Sequence, residues 1–206
     1  MRVFKTTVLT VIFLSGGWGC EWGDNCGPFS TTYYDVTGLT GQNKQLNDQG
    51  YRNAEILPDS GEVSFDQYAL AIYPATEVIS RVSTPAFGGS SAAYACSPPQ
   101  PEPSELVEEI AIFSDIDFQQ ASSDKVLAAG DTLNGLFQIA DFYSGKITGL
   151  TTFLEREKEI AATDEGFFLI LLSQPKEATT HRFTVHYRLD NGEFYSFTAA
   201  PVTVLP

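Results

Sequence analysis

The sequence predicts a mostly-β, β-sandwich-like domain, Ig-like or related, with one or two short helices. Three observations lead there. The chain has 15 Phe and 9 Tyr against a single Met, a balance that suits pleated, half-buried surfaces. Long segments with a 3.6-residue apolar period are few, whereas short apolar runs bounded by Gly, Pro, Asn and Asp recur. Finally, Asp190-Asn191-Gly192 lies between two alternating segments and marks a hairpin.

The first nineteen residues stand apart from the domain. Arg2 and Lys5 form a basic start, Val8 to Leu14 an apolar run, and Ser15, Gly16, Gly17 and Gly19 a small-residue exit. This is the pattern of a secretory signal peptide, here residues 1–19. The run is shorter than the ~20 apolar residues that span a bilayer. Cys20 follows at once, and Gly19-Cys20 resembles the end of the lipobox of bacterial lipoproteins, although Gly17 and Trp18 depart from its usual residues. The resemblance implies that the Cys20 thiol carries diacylglycerol and that residues 20–30 form a lipidated tether. The plain alternative is an unlipidated signal peptide with Cys20 in the mature chain. Each buried methylene of an acyl chain adds roughly 0.8 kcal/mol, so two or three chains anchor almost permanently. Glu21 and Asp24 resemble a weak form of the acidic surface-export signal of Bacteroidetes lipoproteins.

The chain holds three cysteines, Cys20, Cys26 and Cys96. With Cys20 lipidated, two remain in a compartment that favours disulfides. A Cys26–Cys96 bond is expected, closing a loop of about seventy residues and contributing ~4 kcal/mol in the chain-entropy model. No Cys-x-x-Cys pair occurs and the two histidines lie far away in sequence, so neither a metal nor another cofactor is expected.

Residues 31–206 are expected to form a single mostly-β domain. Thr31 to Leu39 reads as a first strand, and 41–61, polar with Gly, Asn, Asp and Pro, as a long loop. Val63 to Pro74 reads as a strand with Tyr68, Leu70 and Ile72 on one face, ended by Pro74 or marked by it as an edge. A weaker strand includes Val78 and Val82. The proline-rich segment 97–105 is stiff and reads as a crossing between sheets. Leu106 to Phe118 contains a strand centred on Ile110 to Phe113. In Ala129 to Asp141 a short helix is expected, capped by Asp131 or Thr132, with Leu133, Leu136 and Phe137 on one face. A second short helix is expected within Leu150 to Glu165. Phe167 to Leu172 is apolar on both faces, a central buried strand.

Two registers compete in the C-terminal hairpin of His181–Leu189 and Glu193–Ala199. A two-residue Asn-Gly turn mixes polar and apolar residues on both faces. A three-residue Asp190-Asn191-Gly192 loop pairs Tyr187 with Tyr195 and Val185 with Phe197, leaving one face apolar and the other polar. The hydrophobic pattern selects the second, since a one-residue slip swaps every side chain.

The segments "AYACSPP", "IAIFSDIDF" and "AGDTLNGLF", with the lipobox-like start and the early second cysteine, resemble a Bacteroidetes family of envelope lipoproteins of unknown function. The resemblance implies an envelope lipoprotein with a mostly-β domain and brings no catalytic residues with it.

Charge narrows the partners. The chain carries −14, and loss of Arg2 and Lys5 with the signal takes it to −16. Such a field repels nucleic acid. A nucleophile–base constellation is not visible: His181 and His186 sit five apart on one expected strand and so face opposite ways, with His186 opposite Ser196 and beside Arg188 as a solvated pair. Asp115 and Asp117 read as solvated acids in preference to a calcium pair. Tyr33, Tyr34, Tyr51, Tyr94 and Tyr143 read as rim packing in preference to a glycan platform. Asp131-Thr132-Leu133 matches a short Bacteroidetes O-glycosylation motif with Thr132 as acceptor, although capping explains the same residues. The expected function is a lipid-anchored lipoprotein of the cell envelope, at the outer membrane. It is expected to be no enzyme but to hold an envelope protein or glycan. The alternative is a hydrolase acting on glycans through an acidic site.

The anchor has a direct test. Cys20→Ala is expected to leave a protein that takes up no fatty-acid label and partitions into the aqueous phase of a detergent extract. Label retained by the variant would place the anchor elsewhere.

Overall fold

The computed structural model describes residues 31–47, 53–81, 101–123, 125–142, 145–156 and 166–206; Cys20, Cys26 and Cys96 lie outside them. Five strands come first: β1 (Thr31–Gln45), β2 (Glu55–Ile56), β3 (Gly61–Ser64), β4 (Tyr68–Arg81) and β5 (Glu102–Pro103). Then come β6 (Val107–Ser114), β7 (Phe118–Gln119), β8 (Val126–Leu127), β9 (Phe137–Asp141), β10 (Ile147–Gly149) and the helix α1 (Leu150–Arg156). The chain ends with β11 (Phe167–Leu171), β12 (Thr179–His181), β13 (Phe183–Leu189), β14 (Phe194–Thr198) and β15 (Val202–Leu205). The fold is mostly β and sandwich-like.

One large sheet has the order β10-β9-β11-β4-β1-β2, with β5 added parallel to β1. Two three-stranded sheets, β14-β13-β6 and β12-β15-β3, accompany it, with the small ribbon β7-β8. Strand alternation sorts the side chains of the large sheet. Tyr68, Leu70 and Ile72 of β4, with Phe167, Leu169 and Leu171 of β11, enter the main core, where they meet Ile110, Ile112, Val185 and Tyr187. Ala69, Ala71, Phe168 and Ile170 enter a second cluster on the opposite face. All five residues of β11 are therefore buried, as its unbroken apolar run requires.

Several expectations need correction. β1 does not stop at Leu39; it continues through a polar run to Gln45 and pairs with β4 along its whole length. Asn43 is tolerated inside because its amide is fully used. Its Nδ2 donates to the Ala200 carbonyl at 2.8 Å, and its Oδ1 accepts from the Tyr68 hydroxyl at 2.8 Å. The expected strand 63–74 is broken by a single 3-10 turn at Phe65–Gln67, and the strands around Tyr68 and Val78 are one strand, β4. Pro74 sits within it opposite Leu39. Among the described residues β11 pairs with β4 between Ala69 and Ile72, so Pro74 lies two residues past that ladder, a position that suits a residue without an N–H.

The helix expected in Ala129 to Asp141 is absent. Thr132 bridges to Phe113, and Leu133 N–H donates to the Ile112 carbonyl at 2.7 Å. The Asn134 amide accepts from Ile112 N–H and donates to the Ile110 carbonyl. This stretch is extended along the edge of β6, and what remains is one 3-10 turn, Asn134–Leu136, without a side-chain cap. Leu133, Leu136 and Phe137 are nonetheless buried. The other expected helix forms as α1, burying Leu150 and Phe153.

The C-terminal hairpin has the three-residue register: Tyr187 faces Tyr195 and Val185 faces Phe197, with Gly192 at φ +91°. His181, however, belongs to β12, which pairs with β15, a strand the sequence pattern did not reveal.

Close approach fixes one glycine. A Cβ on Gly41 would lie 2.6 Å from the Ala71 carbonyl oxygen and 2.7 Å from Phe197 Cε1. Gly41→Ala is expected to destabilise by about 1–3 kcal/mol. Gly149→Ala, whose Cβ meets nothing within 4 Å, should stay within about 0.5 kcal/mol. Urea midpoints of the two variants check the contrast.

Candidate functional site

Two places bring polar and aromatic groups together. The first is a cleft of about 280 Å³ lined by Asp117, Gln119, Val126, Lys176, Glu177 and Thr179. The β7-β8 ribbon forms one wall. The 174–179 segment forms the other, tied to it by Lys176 N–H donating to the Gln119 carbonyl at 2.8 Å and Ala121 N–H to that of Gln174 at 2.9 Å.

Behind Thr179 lies a histidine that sequence reasoning placed on the wrong strand. Thr179 and His181 are two apart on β12 and so share a side. Thr179 Oγ1 is 2.7 Å from His181 Nε2, and Ser114 Oγ is 2.9 Å from Nδ1. The Ser114 oxygen also accepts Ile116 N–H at 3.2 Å. His181 is fully buried between the rings of Phe118 and Phe183, at centroid distances of 5.4 and 5.3 Å. Burial pulls its pKa from the usual 6.5 down to about 4, an effect the Asp115 charge partly offsets. The imidazole is therefore neutral at pH 7. The spacing Thr-x-His on a strand could have pointed to this pair; the contact with Ser114, 67 positions away, could not.

The second place is the outer face of the β14-β13-β6 sheet. His186 faces Ser196 and Ala111 across the two ladders. This is the expected cross-strand pair, with Ser196 exposed and the half-buried His186 ring also packed against Phe113 at 4.6 Å and Phe194 at 5.0 Å. Phe194 is 55% exposed. Arg188, next on that face, binds Glu109 at 2.9 Å and Glu108 at 3.4 Å. Thr184 and Thr198 share a hydroxyl hydrogen bond at 3.0 Å.

Asp115 Oδ1 accepts Arg182 N–H at 2.7 Å and Asp117 Oδ1 accepts Ala129 N–H at 2.8 Å, so each ties its segment to one further along the chain. Among the described residues no three His, Cys, Asp or Glu side chains are grouped to hold a metal. Thr132 is exposed, with Asp131 occupied by Ala128 N–H. Tyr33 and Tyr34 are half-buried in β1; Tyr51, Tyr94 and Tyr143 lie outside the described residues. At the 101–105 segment, burial raises the Glu105 pKa, and a hydrogen bond and charge from Asp35 raise it further.

No protein-family model and no curated sequence matches the chain. Among solved structures, the C-terminal domain of the Streptococcus pyogenes antigen I/II-family protein AspA is similar at 8% identity and a TM-score of 0.25, covering 82% of this chain and 47% of that one. The Streptococcus agalactiae AgI/II polypeptide BspA C-terminal domain is similar at 9% identity and a TM-score of 0.26, covering 82% of this chain and 49% of that one. The chain thus spans about half of each, and likenesses this slight carry no inference about its activity.

The buried histidine makes stability depend on pH. Its folded pKa of about 4 lies below the unfolded 6.5, so the unfolded chain binds more protons between these values. Stability is then full above pH 6.5 and falls as pH drops toward 4. From pH 7.5 to 5 the histidine should cost about 2 kcal/mol. Glu105, raised in the folded state, acts with the opposite sign. Urea titrations of wild type and His181→Gln at both pH values isolate the histidine, and the variant should lose that slope.

Proposed function

We propose that this chain is a cell-envelope lipoprotein, anchored through Cys20 at the outer membrane and braced by a Cys26–Cys96 disulfide. Its β domain holds an envelope protein or glycan without transforming it. The sequence supports the address: a signal-like start, a lipobox-like Gly19-Cys20, and the resemblance to Bacteroidetes envelope lipoproteins. Thr132, exposed in the Asp-Thr-Leu triplet, serves as an O-glycan acceptor in this reading. The observation that carries the binding role is the outer face of the β14-β13-β6 sheet. There Phe113 of β6, His186 of β13 and Phe194 of β14 form an aromatic step across the sheet, centred on the fully paired strand β13 and flanked by the hydroxyls of Thr184, Ser196 and Thr198. Exposed aromatic area on a rigid support is what recognition surfaces use, because little side-chain freedom is lost on contact.

A photo-crosslinking residue placed at position 194 tests this in envelope preparations. The expected result is a discrete adduct, protein or glycan, that is lost when Phe113→Ser is combined with it. Phe194→Ala should abolish co-purification of the same species while shifting stability by no more than about 0.5 kcal/mol. Retention unchanged by Phe194→Ala would exclude this face.

A further inference from the structure

We infer that the cleft between the β7-β8 ribbon and Thr179 is a second binding site, and that it takes a single sugar ring through its hydroxyl groups. The inference rests on the non-catalytic binding role above for its setting, but its argument is local.

The chemistry of the lining selects the ligand. Asp117 and Glu177 offer carboxylates, Gln119 an amide, Lys176 an ammonium, Thr179 a hydroxyl and Val126 an apolar surface. Asp117 spends one oxygen on Ala129 N–H, leaving the other to accept. Two acids and one lysine suit neither a simple anion nor an apolar body. A polyol carries donors for the carboxylates, acceptors for the ammonium and C–H faces for the valine.

Thr179 sharpens the choice. The neutral His181 lies between two hydroxyls, Ser114 at Nδ1 and Thr179 at Nε2. With the proton on Nδ1, Nε2 accepts from Thr179, and the oxygen of this lining residue keeps its lone pairs to accept from a ligand. With the proton on Nε2, that nitrogen donates to Thr179, whose own proton is free to point outward. Exchange of one proton between the ring nitrogens thus turns the same hydroxyl from acceptor to donor. A ligand hydroxyl, itself both donor and acceptor, matches either state; a carboxylate or an ammonium matches one. A volume of about 280 Å³ lies just under the ~300–1,000 Å³ of drug-sized sites, a size for one ring rather than an oligosaccharide.

Saturation-transfer NMR on the detergent-solubilised mature protein tests this with D-glucose, D-mannose and N-acetyl-D-glucosamine. Ethanolamine and acetate serve as amine-only and anion-only probes. At least one sugar should bind with a dissociation constant on the order of 1 mM, the strength a dozen-atom polar ligand allows. Thr179→Ser should keep that affinity within about threefold, whereas Glu177→Gln and Lys176→Met, both exposed positions, should each weaken it about tenfold, the effect of one lost charge-assisted hydrogen bond. The methyl glycosides separate the two sources of such a ring: binding equal to the free sugar assigns the end of a glycan, and loss assigns a free monosaccharide. No sugar signal at about 100 mM, binding of ethanolamine or acetate in its place, or sugar binding indifferent to Glu177→Gln and Lys176→Met would each overturn the inference. None of these outcomes depends on Phe194, so the fate of the outer face is read separately.

Discussion

A polar atom shut between two β-sheets has to find its partner inside the protein, because an unmet one costs about 1–3 kcal/mol. Among the described residues the buried Asn43 and His181, with the half-buried Asn134, meet that requirement and, in doing so, join elements distant in sequence. Asn43 links the hydroxyl of Tyr68 to the carbonyl of Ala200, tying the large sheet to the approach of β15. Asn134 takes both the Ile112 N–H and the Ile110 carbonyl, sealing an edge of β6. His181 joins Ser114 at the end of β6 to Thr179 at the start of β12. Each has nearly all its surface covered or lies against covered backbone, so none could be replaced by an apolar residue without stranding the groups it serves.

The same requirement shapes the cleft. His181 must stay neutral where it is, since Phe118 and Phe183 crowd its ring and burial disfavours the charged form. A neutral imidazole has one donor and one acceptor, and Ser114 and Thr179 can each answer either role. Thr179, which lines the cleft, therefore has its hydroxyl direction set from inside the core, while the lining residues Lys176 and Glu177 are exposed. The outer face of the β14-β13-β6 sheet is governed differently. There the inward residues Val185, Tyr187 and Leu189 are fully buried, and the outward ones are free to be chosen for contact.

What could be read in advance follows from where each signal resides. The hairpin register was legible because a one-residue slip would have mixed both faces, and Val185, Tyr187, Tyr195 and Phe197 permit only one pairing with a uniform face. β11 was legible because Phe167 to Leu171 has no polar side to expose. The polar end of β1 was not: Gln42 to Gln45 resembles a loop until β4 supplies the ladder and Tyr68 and Ala200 supply partners for Asn43. The 132–134 stretch misled because helical spacing of Leu133, Leu136 and Phe137 is also met by an edge-covering segment that buries the same three residues. His181 looked like an extension of β13, yet Arg182 intervenes, and only pairing with β15 shows that Thr179–His181 is a strand of another sheet.

Alternation along β14 connects the two ends of the functional argument. Phe194 is exposed on the outer face, whereas its neighbour Tyr195 turns inward and donates its hydroxyl to the Val36 carbonyl of β1 at 2.6 Å. Burial, the Glu193 hydrogen bond and nearby carboxylate charge raise the Tyr195 pKa to about 12, so the donor persists across the physiological range. Two residues on, Phe197 rests where Gly41 lacks a side chain. β14 thus grips β1 at two points, and in the proposed arrangement β1 is the strand that follows the tether. Under the proposed anchoring, a partner held at Phe194 is joined to the membrane through these two contacts and the ladder between β1 and β4. A tilt of the hairpin would have to break the Tyr195 bond and lift Phe197 from Gly41 together. Under that proposal the outer face of the hairpin and β1 are two sides of one packed interface, and substitutions at Gly41 should be felt on the outer face.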